Sequence, residues 1–309
     1  MVAGFSLMAL VLLPDVFAAE TDAFTLRHVP ITDAMPVINQ EFNRRVLTAL
    51  QSLNEAKVMC SPSALDAALA REIRRPFRGL LEDFIDTSEL VPRQRVPLKD
   101  SVYRETTLLL DLALTVGNWI GIGLTSHIQH EGLLIGADKF GHFLDEGYYY
   151  YYLVYRKGFT LEQTFRLGEL IESTFEGSGS SGVYSYADLT ANYTGFQFWR
   201  DMLGTDANLL ESRYVSCESK SAENNWRLKS EVDLLTYLSA AWDEGMNCSQ
   251  FRNEEITQGV ERSILALEAS SYRRYRCPVY PERVFEMISR VSEVKEHVIH
   301  PSLLKDYSK

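Results

Sequence analysis

The sequence predicts an all-α protein, a multi-helix bundle with a central apolar, glycine-rich helix and helical N- and C-terminal extensions. Three observations point there. Apolar residues recur at helical spacing, as in Phe42, Val46, Leu47 and Leu50 and again in Leu65 and Leu69. Two segments open with side-chain caps, Thr160 with Gln163 and Ser185 with Asp188. Runs alternating apolar and polar residues over strand length are scarce.

Residues 1–18 read as a signal peptide. An apolar run of about a dozen residues is too short to span a membrane and suits a leader core. Val16 and Ala18 supply small side chains for a cut after Ala18, although no Lys or Arg precedes the run. The competing reading is a buried N-terminal helix. No Cys follows the run, so a lipid anchor at this cut is not expected. The leader implies an exported protein, periplasmic or on the outer surface of a bacterium. Four cysteines, Cys60, Cys217, Cys248 and Cys277, then suggest two disulfides with three pairings open. Without export they read as buried thiols, and no Cys-x-x-Cys pair offers a zinc site.

Residues 19–105 form an N-terminal helical region whose helices are kept short by Pro30, Pro36, Pro62, Pro76, Pro92 and Pro97. Residues 106–204 are the apolar core that carries the polar motifs. Within them Thr106–Leu124 is nearly long enough to span a membrane, but Asp111 and Asn118 sit inside it. A central Asp costs roughly 2.5–3.5 kcal/mol on insertion, so a buried central helix is expected and no span in the mature chain. Residues 205–309 read as a C-terminal helical region, with amphipathic helices at Val232–Trp242 and Val284–Val298.

The charge excludes one class of partner. The 309 residues carry a net charge of -11, with 31 basic against 42 acidic side chains. Nucleic acid demands a basic face, so it is not a partner. An envelope component or a protein partner is compatible with this balance.

Candidate chemistry clusters in the core. In Gly136-Ala-Asp138-Lys-Phe-Gly-His142-Phe-Leu-Asp145-Glu146, Asp138 and His142 are four apart and share a helix face that Asp145 and Tyr149 extend. A carboxylate and an imidazole so placed hold one cation, or the carboxylate orients a general base. Glu169, Glu172 and Glu176 line one face of the next helix, either solvated or facing a cation. Asp188, Asn192 and Gly195 line a third. Taken singly, Asp138 and Asp188 also read as helix caps, and His142 as a core histidine. His127 and His130 stand at helical spacing and invite a zinc reading. The Gly177–Gly182 loop matches G-x-G-x-x-G only formally, because no strand precedes it and Glu172 and Glu176 would repel phosphate. No G-x-S-x-G is present.

The order Asp138-Lys-x-x-His142-Phe, an acidic middle helix, then Asp188-Leu-x-x-Asn192-x-x-Gly195 resembles the uncharacterised bacterial envelope family of YfiM-like predicted lipoproteins. More distantly it is similar to VanZ-like membrane proteins. The resemblance covers about residues 135–200 and implies a helical core without implying a reaction. The chain departs from it in having no lipobox cysteine.

Two function classes follow. In the first, the polar residues form a buried network in an exported cell-envelope protein with a structural or binding role. In the second, Asp138, His142, Glu169, Glu172 and Asp188 hold a divalent cation. His142, Asp138, Asp188 and Glu169 then act as catalytic residues of a metal-assisted hydrolase on an envelope ester, phosphoester or amide. Mixed ligands would suit zinc or manganese, and mainly carboxylates calcium or magnesium. Either class requires the side chains to converge, with His142 near Asp188 or Glu169.

Overall fold

The computed structural model describes residues 20–74, 79–105, 124–178, 181–206, 210–220 and 223–307. The leader assigned to residues 1–18 lies outside the described residues, as does all of Thr106–Leu124 except Leu124.

Helix α1 (Met35–Glu55) has Pro36 in its first turn, where no amide partner is lost. It buries Met35, Ile38, Phe42, Val46, Ala49, Leu50 and Leu53 as one stripe. Helix α2 (Pro62–Ile73) starts from Ser61, whose hydroxyl accepts the Ala64 amide at 3.1 Å, and packs on α1. Helix α3 (Leu80–Thr87) follows.

Strands β1 (His127–His130) and β2 (Leu133–Gly136) form an antiparallel hairpin, with His127 opposite Gly136. Its turn is Glu131-Gly132, with φ of 48° and 82°. Positive φ at both central residues matches the right-handed strand twist. The helical reading of His127 and His130 is therefore corrected. Three apart on a strand, they point to opposite faces and cannot share a zinc ion. His127 is buried, its Nε2 3.3 Å from Gln94 Oε1, and burial lowers it to about 4, so the ring is neutral. His130 pairs with Asp33 at 2.8 Å.

Helix α4 (Asp138–Gly141) runs through a π-helical turn, His142–Glu146, into α5 (Gly147–Lys157). It stops at Gly158, whose φ of 74° is left-handed. The Thr160 capping box is present. The Gln163 amide donates to Thr160 Oγ1 at 3.1 Å and the Thr160 amide to Gln163 Oε1 at 2.9 Å, opening α6 (Leu161–Ile171). After β3 (Val183–Tyr184), Ser185 caps α7 (Tyr186–Leu203) by accepting the Asp188 amide at 3.2 Å. Nearly all of α7 is buried.

The C-terminal third is less helical than expected. Strands β4 (Val215–Lys220) and β5 (Glu223–Leu228) make a second hairpin, and β6 (Gln250–Phe251) pairs with β3. The helix expected at Val232–Trp242 is two single 3-10 turns, Leu234–Thr236 and Ala240–Trp242. Asp233 accepts the Leu235 amide at 3.0 Å and Ser239 the Ala241 amide at 3.3 Å, side-chain bonds that compete with a continuous helix. Helices α8 (Glu254–Ser271), α9 (Val284–Arg290), α10 (Lys295–Val298) and α11 (Pro301–Tyr307) close the chain, so the expected Val284–Val298 helix is split. The described residues thus form a mainly α fold, with three small two-stranded antiparallel sheets among its helices. No described helix is long and apolar enough to cross a membrane.

Of the three pairings, the disulfides are Cys60–Cys217 and Cys248–Cys277. The first ties the α1–α2 connection to β4. The second ties the loop after Trp242 to the segment after α8.

Helices α5 and α7 touch backbone to backbone. A Cβ on Gly147 would sit 2.6 Å from Gly195 Cα, and one on Gly195 would sit 2.0 Å from the Phe143 carbonyl oxygen. Backbone cannot yield as a side chain would. Gly195→Ala is expected to destabilise by about 3 kcal/mol, the upper end of overpacking effects, read from the urea midpoint at unchanged slope.

Candidate functional site

Four stretches of chain converge on Lys139. These are residues 20–27, α4 with its π turn, the start of α7, and the 239–247 segment. Lys139 is 1% exposed, and its Nζ donates to Asp138 Oδ2 and to Glu244 Oε1, both at 2.6 Å, while also pairing with Asp188. Oxygens of these three carboxylates lie within 4.8 Å of one another, and the ammonium sits among them.

Each carboxylate is braced by a hydroxyl or a ring. Asp138 Oδ1 accepts from Thr21 at 2.8 Å and from Thr125 at 3.3 Å. Ser185 Oγ lies 3.0 Å from Asp188 Oδ1 and 3.3 Å from Glu244 Oε1, so the residue that caps α7 also joins the site. His142 Nε2 is 3.2 Å from Asp188 Oδ2, and its Nδ1 is 3.1 Å from Asn192 Oδ1. Both partners accept, so a ring carrying both protons satisfies both. Helical spacing explains these meetings. Asp138 precedes His142 by four residues and Asp188 precedes Asn192 by four, and α4 and α7 turn these faces toward each other.

Burial sets the protonation. It raises the Glu20 carboxyl well above the ordinary range, and the nearby charges of Glu244 and Asp188 add to the effect. Burial also lifts Glu244 to about 7, against the pull of Lys139. At Asp188 burial acts in the same sense, but His142 and Lys139 more than offset it and hold the carboxyl well below its usual range. Burial alone would lower Lys139, yet Asp138, Asp188 and Glu244 reverse this and keep it well above its usual range. The site therefore holds an ammonium against an ionised Asp188, with the Glu20 carboxyl shifted toward its protonated form. An ammonium has no free electron pair, so Lys139 is not a nucleophile there. Glu244 Oε2 is buried with no hydrogen-bond partner among the described residues.

A second buried ion pair stands next to the first. Arg27 Nη1 donates to Asp243 Oδ2 at 3.0 Å and its Nε to the Ala23 carbonyl at 2.8 Å. Asp243 also accepts the amides of Leu134 at 2.9 Å and Gly245 at 2.8 Å.

Of the residues singled out in the sequence, Asp138, His142, Asp188 and Asn192 lie together. Glu172 is buried and meets the site through the backbone, its Oε1 accepting the Ser185 amide at 2.9 Å. Glu169 lies elsewhere. With Glu162 it brackets His297, both contacts at 2.8 Å, on the partly exposed side of α6. The side chain of Glu176 lies outside the described residues. Sequence reasoning passed over Lys139, Glu244, Glu20, Thr21 and Thr125. Lys139 stood inside the quoted motif, and its signal was a lysine flanked by Asp138 and Phe140 in an otherwise apolar stretch. Glu244, in Trp242-Asp-Glu-Gly245, carried no spacing signal.

No family model, no curated protein and no solved structure matches this chain.

The raised carboxyl of Glu244 has a consequence for stability. Between its ordinary value of 4.5 and about 7, the folded chain keeps a proton that the unfolded chain has released. Stability therefore falls as pH rises through that window, and Glu20 acts in the same direction. Asp188, displaced the other way, contributes stability that is lost only in acid, below that window. Urea midpoints at about pH 5 and about pH 7.5 are expected to show a loss on the order of 2 kcal/mol. Glu244→Gln is expected to remove much of that loss.

Proposed function

We propose that this is an exported cell-envelope protein whose Asp138, Lys139, His142, Asp188 and Glu244 site is structural, fixing the helices and the N-terminal segment in register. The faces outside it are left for an envelope component or a protein partner. One observation carries the reading. The space between three carboxylates, where a divalent ion would sit, is filled by the chain's own ammonium at 2.6 Å from Asp138 and Glu244. The two disulfides and the described helices, none long and apolar enough to cross a membrane, are compatible with export. The resemblance to YfiM-like envelope proteins supports the same setting.

The convergence of Asp138, Asp188 and Glu244 favours one alternative, a metal-assisted hydrolase acting on an envelope component. An ion bound there by Asp138, Asp188 and Glu244, with His142 behind Asp188, would supply an activated water. Lys139 would first have to swing out of the site. In neither reading does Glu169 take part.

Metal analysis of purified protein and of Lys139→Met separates the two readings. In the structural reading the native protein carries no stoichiometric divalent ion. Lys139→Met then loses about 3–5 kcal/mol because its carboxylates stay buried without a counter-charge. His142→Ala is expected to lose about 1–3 kcal/mol, because Asp188 Oδ2 loses its ring partner. Stoichiometric metal in the native protein, lost in Asp188→Asn, would establish the hydrolase reading instead.

A further inference from the structure

Three stretches of chain border a cleft of about 240 Å³ that the buried ion network does not use. The β1–β2 hairpin supplies His130, Glu131 and Leu133, and the 235–240 stretch forms a second side. The third side is Arg283, Glu286, Met287 and Arg290, from α9 and the turn before it. Spacing accounts for this placement. Arg283, Met287 and Arg290 are four and then three residues apart, so they share one helix face. His130 and Leu133 are paired directly across the hairpin turn and share a face of it. The apolar floor is Leu133, Leu238 and Met287, all buried. Arg283 Nη1 donates to the Glu131 carbonyl at 3.1 Å, which holds the hairpin tip against the start of α9. Four formal charges stand around this floor, on Arg283, Arg290, Glu131 and Glu286. No ion pair joins any of them to another described side chain. Glu286 and Arg290 remain apart even though four residues separate them on one helix, the spacing at which such side chains ordinarily meet.

We propose that this cleft binds a free α-amino acid with an apolar side chain. Such a ligand carries an ammonium and a carboxylate on one carbon, and the rim offers both signs of charge. Arg283 and Arg290 receive the carboxylate, whose geometry a guanidinium fork matches. Glu131 and Glu286 receive the ammonium, and the side chain rests on Leu133, Leu238 and Met287. Size points the same way. The cleft is smaller than the roughly 300–1,000 Å³ of pockets for drug-sized ligands, and it equals the share of about eight liquid waters. Leucine is of that size. A phosphorylated ligand would meet repulsion from Glu131 and Glu286, and a simple aliphatic acid would leave both unanswered. The cleft also adjoins the second buried ion pair, because the Leu134 amide, next to Leu133, donates to Asp243 at 2.9 Å. An occupant therefore ties together the hairpin and the stretch leading to Asp243, and binding raises the melting temperature.

The test titrates the full chain, with isotope-labelled methionine methyls, against L-leucine, N-acetyl-L-leucine and L-leucinamide. The Met287 methyl signal, assigned through Met287→Leu, reports occupancy of the cleft. Leucine is expected to shift it saturably and to raise the melting temperature. Acetyl-leucine lacks the ammonium and leucinamide lacks the carboxylate, so each is expected to bind about tenfold more weakly or worse. Arg290 and Glu286 are exposed, and their side chains bond to no other described residue. Arg290→Gln and Glu286→Gln are therefore expected to fold normally and to weaken leucine binding about tenfold each. No saturable shift with leucine up to about 10 mM overturns the proposal. Acetyl-leucine binding as tightly as leucine would mark the C-terminal end of a peptide as the occupant, and leucinamide doing so would mark an N-terminal end. Either result overturns the free amino acid. A shift that both glutamine variants leave unchanged places leucine outside this cleft and overturns the proposal as well.

Discussion

A buried ammonium must have its charge answered by atoms of the protein, and Lys139 imposes that demand on the whole molecule. Withdrawing such an ion from water costs several kcal/mol even after relaxation, and its attraction to carboxylates repays this only when the geometry is good. Here the carboxylates come from separate stretches, Asp138 beside it, Asp188 from α7 and Glu244 from the 239–247 segment. Thr21 and Thr125 add the hydroxyls that brace Asp138. Each of these must arrive for the others to be tolerable. The neighbouring Arg27–Asp243 pair extends the constraint, because Asp243 and Glu244 are consecutive and one short segment serves both ions.

The helix crossing makes this convergence possible. With Gly147 against Gly195, α5 and α7 approach more closely than side chains would allow, and the π turn before α5 swings His142 toward Asp188 and Asn192. A π turn leaves carbonyls out of the regular ladder. The Leu144 carbonyl in this turn accepts from the Trp199 indole at 2.8 Å. Tryptophans also tie the flanks, as Trp242 Nε1 donates to Thr194 Oγ1 at 3.1 Å. α7 thus carries both, the polar contacts near its start and the close glycine crossing further along.

Local signals in the sequence were legible where a few neighbouring residues decide the outcome. Thr160 with Gln163 and Ser185 with Asp188 announce helix starts through their own side chains, and four-residue spacing places Asp138 with His142. The hairpin at His127–Gly136 was open to the same treatment. Its Glu131-Gly132 turn between Ile128 and Leu133 is a strand signal, and the histidine spacing drew attention away from it. The alternation in β4 and β5 is short and mostly polar, so periodicity barely registers it. Lys139 and Glu244 could not be joined by any local rule. Their meeting depends on a separation of 105 residues and on loops that periodicity does not describe. Glu169 shows the converse: the expected common face with Glu172 is broken by the π turn at Glu172–Glu176, so Glu169 meets His297 while Glu172 is buried against the Ser185 amide.

The same long reach governs the order in which the molecule can be assembled. Arg27 finds Asp243 across 216 residues, and Thr21 finds Asp138 across 117. A chain made from its N-terminus presents the first partners of its polar core early and must wait for the last ones. Contacts so distant in sequence slow folding, since loop closure precedes any gain from them. Until the 239–247 segment emerges, Arg27 lacks its Asp243 partner and Lys139 lacks one of its three carboxylates. Fragments ending before Trp242 are therefore left with an open, charged interior, a state suited to recognition by chaperones or proteases, and closure of the core reports that synthesis has passed the 239–247 segment.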